Sequence, residues 1–60
     1  MTTTYRYYIT IDGTPSGYFL ANELHIAKCF AENKIEEGHN VEIIKRKCVV
    51  DEHGILIRMS

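Results

Sequence analysis

A chain of 60 residues makes one small domain that buries only about 60% of the surface its unfolded form exposes, which leaves little room for a large catalytic cleft. Apolar residues make up 45% of it, too many for a disordered chain, and a formal net charge of −1 supplies no long-range field to draw the whole molecule to nucleic acid or acidic lipid. No apolar run approaches the roughly 20 residues that cross a bilayer, and Met1-Thr2-Thr3-Thr4 carries no basic region followed by a hydrophobic one, so a cytoplasmic protein is expected.

In chain order, Tyr5, Tyr7, Ile9 and Ile11 alternate with Arg6, Tyr8, Thr10 and Asp12, the pattern of a strand with one face in the core and one in water. Asp12-Gly13 signals a hairpin, because both residues tolerate the positive φ that a tight turn between twisted strands requires. The next strand, Gly17 to Leu20, is expected to be short and to lie at the sheet edge, since Pro15 cannot donate a ladder hydrogen bond. Asn22 is suited to cap a helix running from Glu23 to about Glu37, with Ala21 and Ile26 as a small hydrophobic staple. Leu20, Leu24, Ala27, Ala31 and Ile35 follow helical spacing, with Phe30 widening the stripe, so this side should pack on the sheet. Gly38 should end the helix, and Glu36 and Glu37 stand at the negative end of its dipole, where they do not serve helix stability.

Val41 to Val50 reads as the third strand. Its alternation falters at Ile44 and through Lys45-Arg46-Lys47, which predicts a bulge or a local twist there. Asp51-Glu52-His53-Gly54 suits a type I turn leading into a last strand, Ile55 to Met59. These elements give an α+β fold over residues 1–60: a three- or four-stranded antiparallel sheet with one amphipathic helix on one face, in β(β)αββ order.

Two cysteines are too few for a disulfide framework and are expected as reduced thiols. His25 and Cys29, four apart on the helix, could offer two zinc ligands, with Cys48 and His53 as the others. However, Cys48 and His53 are five apart across a turn rather than a close ligand pair, so no metal or cofactor is expected. Cys29 sits mid-helix, away from the N-terminus that would lower its pKa; Cys48 follows Lys47, whose charge makes it the more reactive thiol. Neither has a histidine evident as its base, and Ser16 and Ser60 fall in a turn and at the chain end, so an enzyme is not expected. Glu32 and Glu36 share a helix side, the ordinary pattern of a solvated face.

Two surface patches are candidate contacts. The first joins Arg6 and Tyr8 on the solvent side of the first strand to Lys45, Arg46 and Lys47. It could stack bases and track phosphates, although no aromatic string of the RNA-recognition type accompanies it and Glu42, Asp51 and Glu52 flank it. The same cations would equally guard an edge strand against unwanted pairing. The second patch is the outer helix, Ile26, Phe30, Glu32 and Glu36, where the apolar band is wider than one sheet contact requires. Four tyrosines in so short a chain favour protein recognition, since tyrosine offers contact area at low rotamer cost. The plainer alternative makes Tyr5 and Tyr7 core and Ile26 a lone exposed residue.

In layout the chain resembles the short proteins encoded by bacteriophages and mobile elements, including small anti-CRISPR inhibitors built from one helix on an antiparallel sheet. The features that carry the likeness are the Met1-Thr2-Thr3-Thr4 start, the strand ending Ile11-Asp12-Gly13, and the helix exit Glu36-Glu37-Gly38-His39-Asn40-Val41-Glu42-Ile43. The resemblance implies a non-enzymatic protein, working in the host cytoplasm, that occupies a surface of a bacterial defence complex. The alternatives are a nucleic-acid-binding module using the first patch alone and a homodimer formed through the helix.

Overall fold

The computed structural model describes residues 1–59. Strand β1, Thr2–Ile11, turns back into β2, Thr14–Leu20; a short 3-10 turn over Ala21–Glu23 leads into helix α1, Leu24–Glu36; β3, Val41–Val50, and β4, Leu56–Met59, complete one antiparallel sheet in the order β2-β1-β3-β4. The α+β fold expected from the sequence is present, with four strands and one helix among the described residues. Among the described residues no helix is long and apolar enough to cross a membrane.

Asp12 and Gly13 have φ values of 52° and 81°, the pair of left-handed residues of a type I′ turn, and Ile11 pairs with Thr14 across it. The turn also anchors the far side of the fold. Asp12 Oδ1 accepts from the Asn40 backbone N–H at 2.9 Å, Oδ2 lies 2.8 Å from His39 Nδ1, and the Asp12 N–H donates to the Asn40 carbonyl at 2.7 Å. One aspartate thus closes the first hairpin and holds the chain leaving the helix against it. Its carboxyl is kept below the ordinary value, first by the Asn40 hydrogen bond and then by His39.

The helix ends as the glycine at position 38 leads one to expect. Gly38, at φ 95°, donates to the Ile35 carbonyl at 2.9 Å while His39 N–H donates to Lys34 at 3.1 Å, the paired bonds of a Schellman motif. Its start differs from expectation. Asn22 is not the cap: it lies inside the 3-10 turn, and the α-helical N-cap is Glu23 with no side-chain cap bond. Instead the Glu23 carboxylate accepts from the Leu20 N–H at 2.8 Å, and this bond tightens the entry into a 3-10 turn. Ala21 and Ile26, the expected hydrophobic staple, are both exposed.

Cross-strand pairing sorts the side chains into two faces. Tyr5, Tyr7, Ile9 and Ile11 share a face with Val41, Ile43, Lys45 and Lys47 of β3 and with Phe19 of β2. The helix covers this face, with Ala27 and Ala31 buried and Phe30 set 5.8 Å from Phe19. The cover is partial. Thirteen helical residues extend only about 20 Å, whereas ten strand residues reach about 33 Å. Ile9 is therefore 2% exposed but Tyr5, expected in the core, is 41% exposed, with Lys45 Nζ lying 4.3 Å from its ring centre. Leu20 and Ile35, both expected in the helical stripe, are also exposed, Leu20 because it belongs to β2 and points to the opposite face.

Of the bulge or local twist expected at Ile44 and Lys45–Lys47, the bulge is absent: β1 and β3 pair without a break from Thr2 and Val50 to Ile11 and Val41. The register shifts lie elsewhere, one opposite Ile9/Thr10 where Ser16 is extra in β2, and one at Val49/Val50 where Ile57 is extra in β4. Beta strand β2 also starts earlier than expected and takes in Pro15, which an edge strand tolerates.

Candidate interaction face

The face without a helix is not simply wet. Thr4, Arg6, Tyr8 and Thr10 of β1 alternate onto it, opposite Cys48, Arg46, Ile44 and Glu42 of β3. The β2 bulge brings Tyr18 opposite Tyr8 and Leu20 opposite Arg6, and Met59 of β4 stands across from Cys48. Cys48 is 1% exposed and Arg6 only 7%, although among the described residues no second layer of structure covers them. The cover consists of neighbouring side chains one layer deep.

Arg6 was expected on a solvated face; it is instead sheathed. Its guanidinium lies 4.3 Å from the centre of the Tyr18 ring, and the Tyr8 and Tyr18 rings meet at 5.4 Å and 41°. A cation over a ring face is attracted by the ring quadrupole, and the planar guanidinium stacks there while its edge stays free for hydrogen bonds. The Tyr8 side chain is the first cause raising the Arg6 pKa, opposed by desolvation and reinforced by Tyr18. Arg46 on β3, directly opposite Arg6, is exposed. Like charges in that position repel, and the aromatic sheath around Arg6 offsets part of the repulsion.

Beside these arginines runs a groove of about 440 Å³ lined from all four strands, with Tyr8, Pro15, Ile44, Arg46 and Met59 among its walls. Around it Tyr18, Leu20, Ile44, Leu56 and Met59 are each more than a third exposed. This surface is concave, largely apolar and carries a cation at its rim.

The first expected patch is divided by the strand alternation. Arg6, Tyr8 and Arg46 come together on the helix-free face, while Lys45 and Lys47 project from the other, beyond the helix. The second patch is dispersed. Phe30 is half-buried against Phe19, and Ile26, Phe30, Glu32 and Glu36 spread over nearly half the helix circumference at about 100° per residue. Ile26, Glu32 and Glu36 are exposed. The candidate zinc ligands also separate: His25 and Cys29 are exposed on the helix, Cys48 is buried on the far side of the sheet, and His53 is exposed in the β3–β4 turn. Among the described residues no three of His, Cys, Asp or Glu converge as a metal site.

Tyr18, Ile44 and Met59 belong to this face but are not among the contact residues expected from the sequence. The signal that could have found Tyr18 is Gly17, because a glycine inside a strand marks a bulge, and the bulge decides which tyrosine Tyr18 meets. The chain matches no protein-family model, no curated protein and no solved structure.

Proposed function

We propose that this is a non-enzymatic interaction protein that works by covering a surface of a larger assembly, with the helix-free sheet face as its principal contact. The single observation that supports this most is the groove lined from all four strands and ringed by Tyr18, Leu20, Ile44, Leu56 and Met59, apolar side chains more than a third exposed on one continuous face. Exposed apolar area gathered on one face, with tyrosines among it and an arginine at its rim, has the composition of a protein interface. The layout-level resemblance to phage-encoded inhibitors makes a bacterial defence complex in the host cytoplasm the proposed target, and steric occupation the proposed mode of action.

One observation favours a second possibility, binding of single-stranded nucleic acid: Tyr8, Tyr18, Arg6 and Arg46 share the open face and could stack bases. It ranks below protein recognition because Lys45 and Lys47 project from the other face and Glu42 lies on the open one, which leaves few cations to neutralise phosphates.

The test places a photo-crosslinking amino acid at Tyr18 and, in a control, at Glu32 on the outer helix, and irradiates each in bacterial lysate. Protein adducts formed at position 18 and not at 32 are expected, together with no binding of a nonspecific oligonucleotide at any salt concentration. Adducts at 32 alone, or an oligonucleotide affinity that falls steeply with salt, would overturn the proposal.

A further inference from the structure

The two edges of the sheet are not equivalent. On β2, Pro15 removes a donor and the Ser16-Gly17 bulge breaks the ladder, both devices that discourage a further strand. On the other side β4 is short. It pairs with Cys48, Val49 and Val50 only, so among the described residues the outer edge of β3 from Val41 to Lys47 has no strand beside it. In an antiparallel ladder alternate residues turn both N–H and C=O to the same side, so this stretch presents about three or four residues' worth of unpaired donors and acceptors.

The open stretch is also strongly marked by charge. It carries Lys45, Arg46 and Lys47 against one carboxylate, Glu42. None of the three cations takes part in the ion pairs of the described residues, which join Lys34 to Glu37, His39 to Asp12 and His53 to Glu52. Ile43 and Ile44 precede them, the first on the helix face and the second, 37% exposed, on the open face. Cations here discourage a second copy of the chain. Self-pairing about Ile44 would set Glu42 across from Arg46 but leave Lys45 and Lys47 opposite Ile43 and Val41, with an uncompensated positive charge on both strands.

We infer that the open edge of β3 receives an extended, acidic segment of the partner protein as a fifth strand. This rests on the protein-interaction proposal above and names the chemistry of its partner. The added strand gains main-chain hydrogen bonds from Val41–Lys47, while its side chains are selected in two blocks: acidic residues opposite Lys45, Arg46 and Lys47, and apolar residues opposite Ile43 and Ile44. Because alternate side chains fall on opposite faces, acidic groups at neighbouring positions satisfy Arg46 on one face and both lysines on the other. The cations that keep the edge from pairing with itself thereby choose its occupant.

The test uses the full chain and a fluorescein-labelled peptide made of three acidic residues, two isoleucines, a lysine and a valine, the antiparallel complement of the edge read from Lys47 to Val41. Saturable binding is expected, with slowed amide hydrogen exchange confined to residues 41–47. A peptide with its acidic residues replaced by lysine should bind at least about tenfold more weakly. One N-methylated at alternate backbone nitrogens should bind as poorly although its charges are intact, and neither control touches the fold of the protein. Equal binding of the N-methylated peptide, protection at the helix-free face instead of 41–47, displacement of the peptide by an oligonucleotide, or protection of 41–47 by self-association without peptide would each overturn the inference. Failure of the peptide with crosslinking retained at position 18 removes the fifth strand alone; peptide binding without crosslinks at 18 removes the open-face contact and leaves the edge.

Discussion

Truncating Ile9 should remove a large share of the protein's stability. Ile9 is 2% exposed and stands between Gly17 on β2 and Ile43 on β3, under the helix. Gly17 has no side chain to move into the space, so the site can collapse from one side only. Ile→Ala in such a core costs about 2–5 kcal/mol and Ile→Val about 0.5–1.5 kcal/mol, and poor collapse favours the upper halves of those ranges. A domain of this size has a total stability of about 3–9 kcal/mol at the usual 0.05–0.15 kcal/mol per residue. With a urea slope of about 1 kcal/mol per molar, Ile9→Val should lower the unfolding midpoint by about 1 M and Ile9→Ala by about 3–5 M, enough to unfold the protein in buffer if its stability lies at the lower end of that range. Tyr5→Ala is the control on the same face, since a side chain 41% exposed should cost less than the Ile9 truncation despite its greater size. Urea titration followed by circular dichroism measures all three. A midpoint for Ile9→Ala within 0.5 M of the parent, a margin well below the roughly 2 M minimum expected, or a larger loss for Tyr5→Ala, would refute the placement of the core over Ile9.

Three further outcomes are expected. Asp12 has a folded pKa below its unfolded one, so its contribution is present above the unfolded value, near pH 4, and is lost as pH falls through the folded value; Asp12→Asn should flatten the acid limb of the stability curve, and an unchanged limb in a pH series of thermal melts would count against the clamp. Gly38→Ala meets no atom within 4 Å and is therefore opposed by backbone strain alone at φ 95°, a loss of about 1–2 kcal/mol by thermal unfolding; an unchanged protein would deny the left-handed helix exit. Cys48, expected beside Lys47 to be the more reactive thiol, is instead buried, so a thiol reagent should label Cys29 at once and Cys48 only on unfolding; immediate reaction of both would show the open face to be looser than described.

Local signals in the sequence carried the elements, and pairing carried the faces. Asp12-Gly13, Gly38 and the alternation of β1 are short-range features whose cause lies within a few residues, and each appears where it is expected. The partition of side chains is different, because it depends on register. A type I′ turn without a bulge would set Tyr18 opposite Tyr7, on the helix face; one extra residue at Ser16 sets it opposite Tyr8 and over Arg6. Likewise Lys45-Arg46-Lys47 looks like one basic patch along the chain, yet a regular strand sends its middle member one way and its neighbours the other. The helix cap failed for a related reason: Asn22 has good intrinsic capping chemistry, but Glu23 takes the Leu20 N–H and the chain enters through a 3-10 turn instead.

The burial of Arg6 follows from having one helix for a two-faced sheet. A single helix covers one face for about two thirds of its length, and nothing in the described residues is left to cover the other. Two long side chains from the edge strands do part of that work: Tyr18 lies over the Arg6 guanidinium, and Met59 stands beside the buried Cys48. A cation can serve as interior here because its alkyl stem is apolar and its planar head stacks on a ring, whereas a lysine at position 6 would keep a strongly hydrated charge. What this improvised cover does not reach is the strip from Ile44 to Leu56 and the bare edge of β3 beside it. Both lie on the same side of the molecule, so a partner that adds a strand at that edge would also bring side chains over the strip, and one docking event would complete the sheet and its missing layer together.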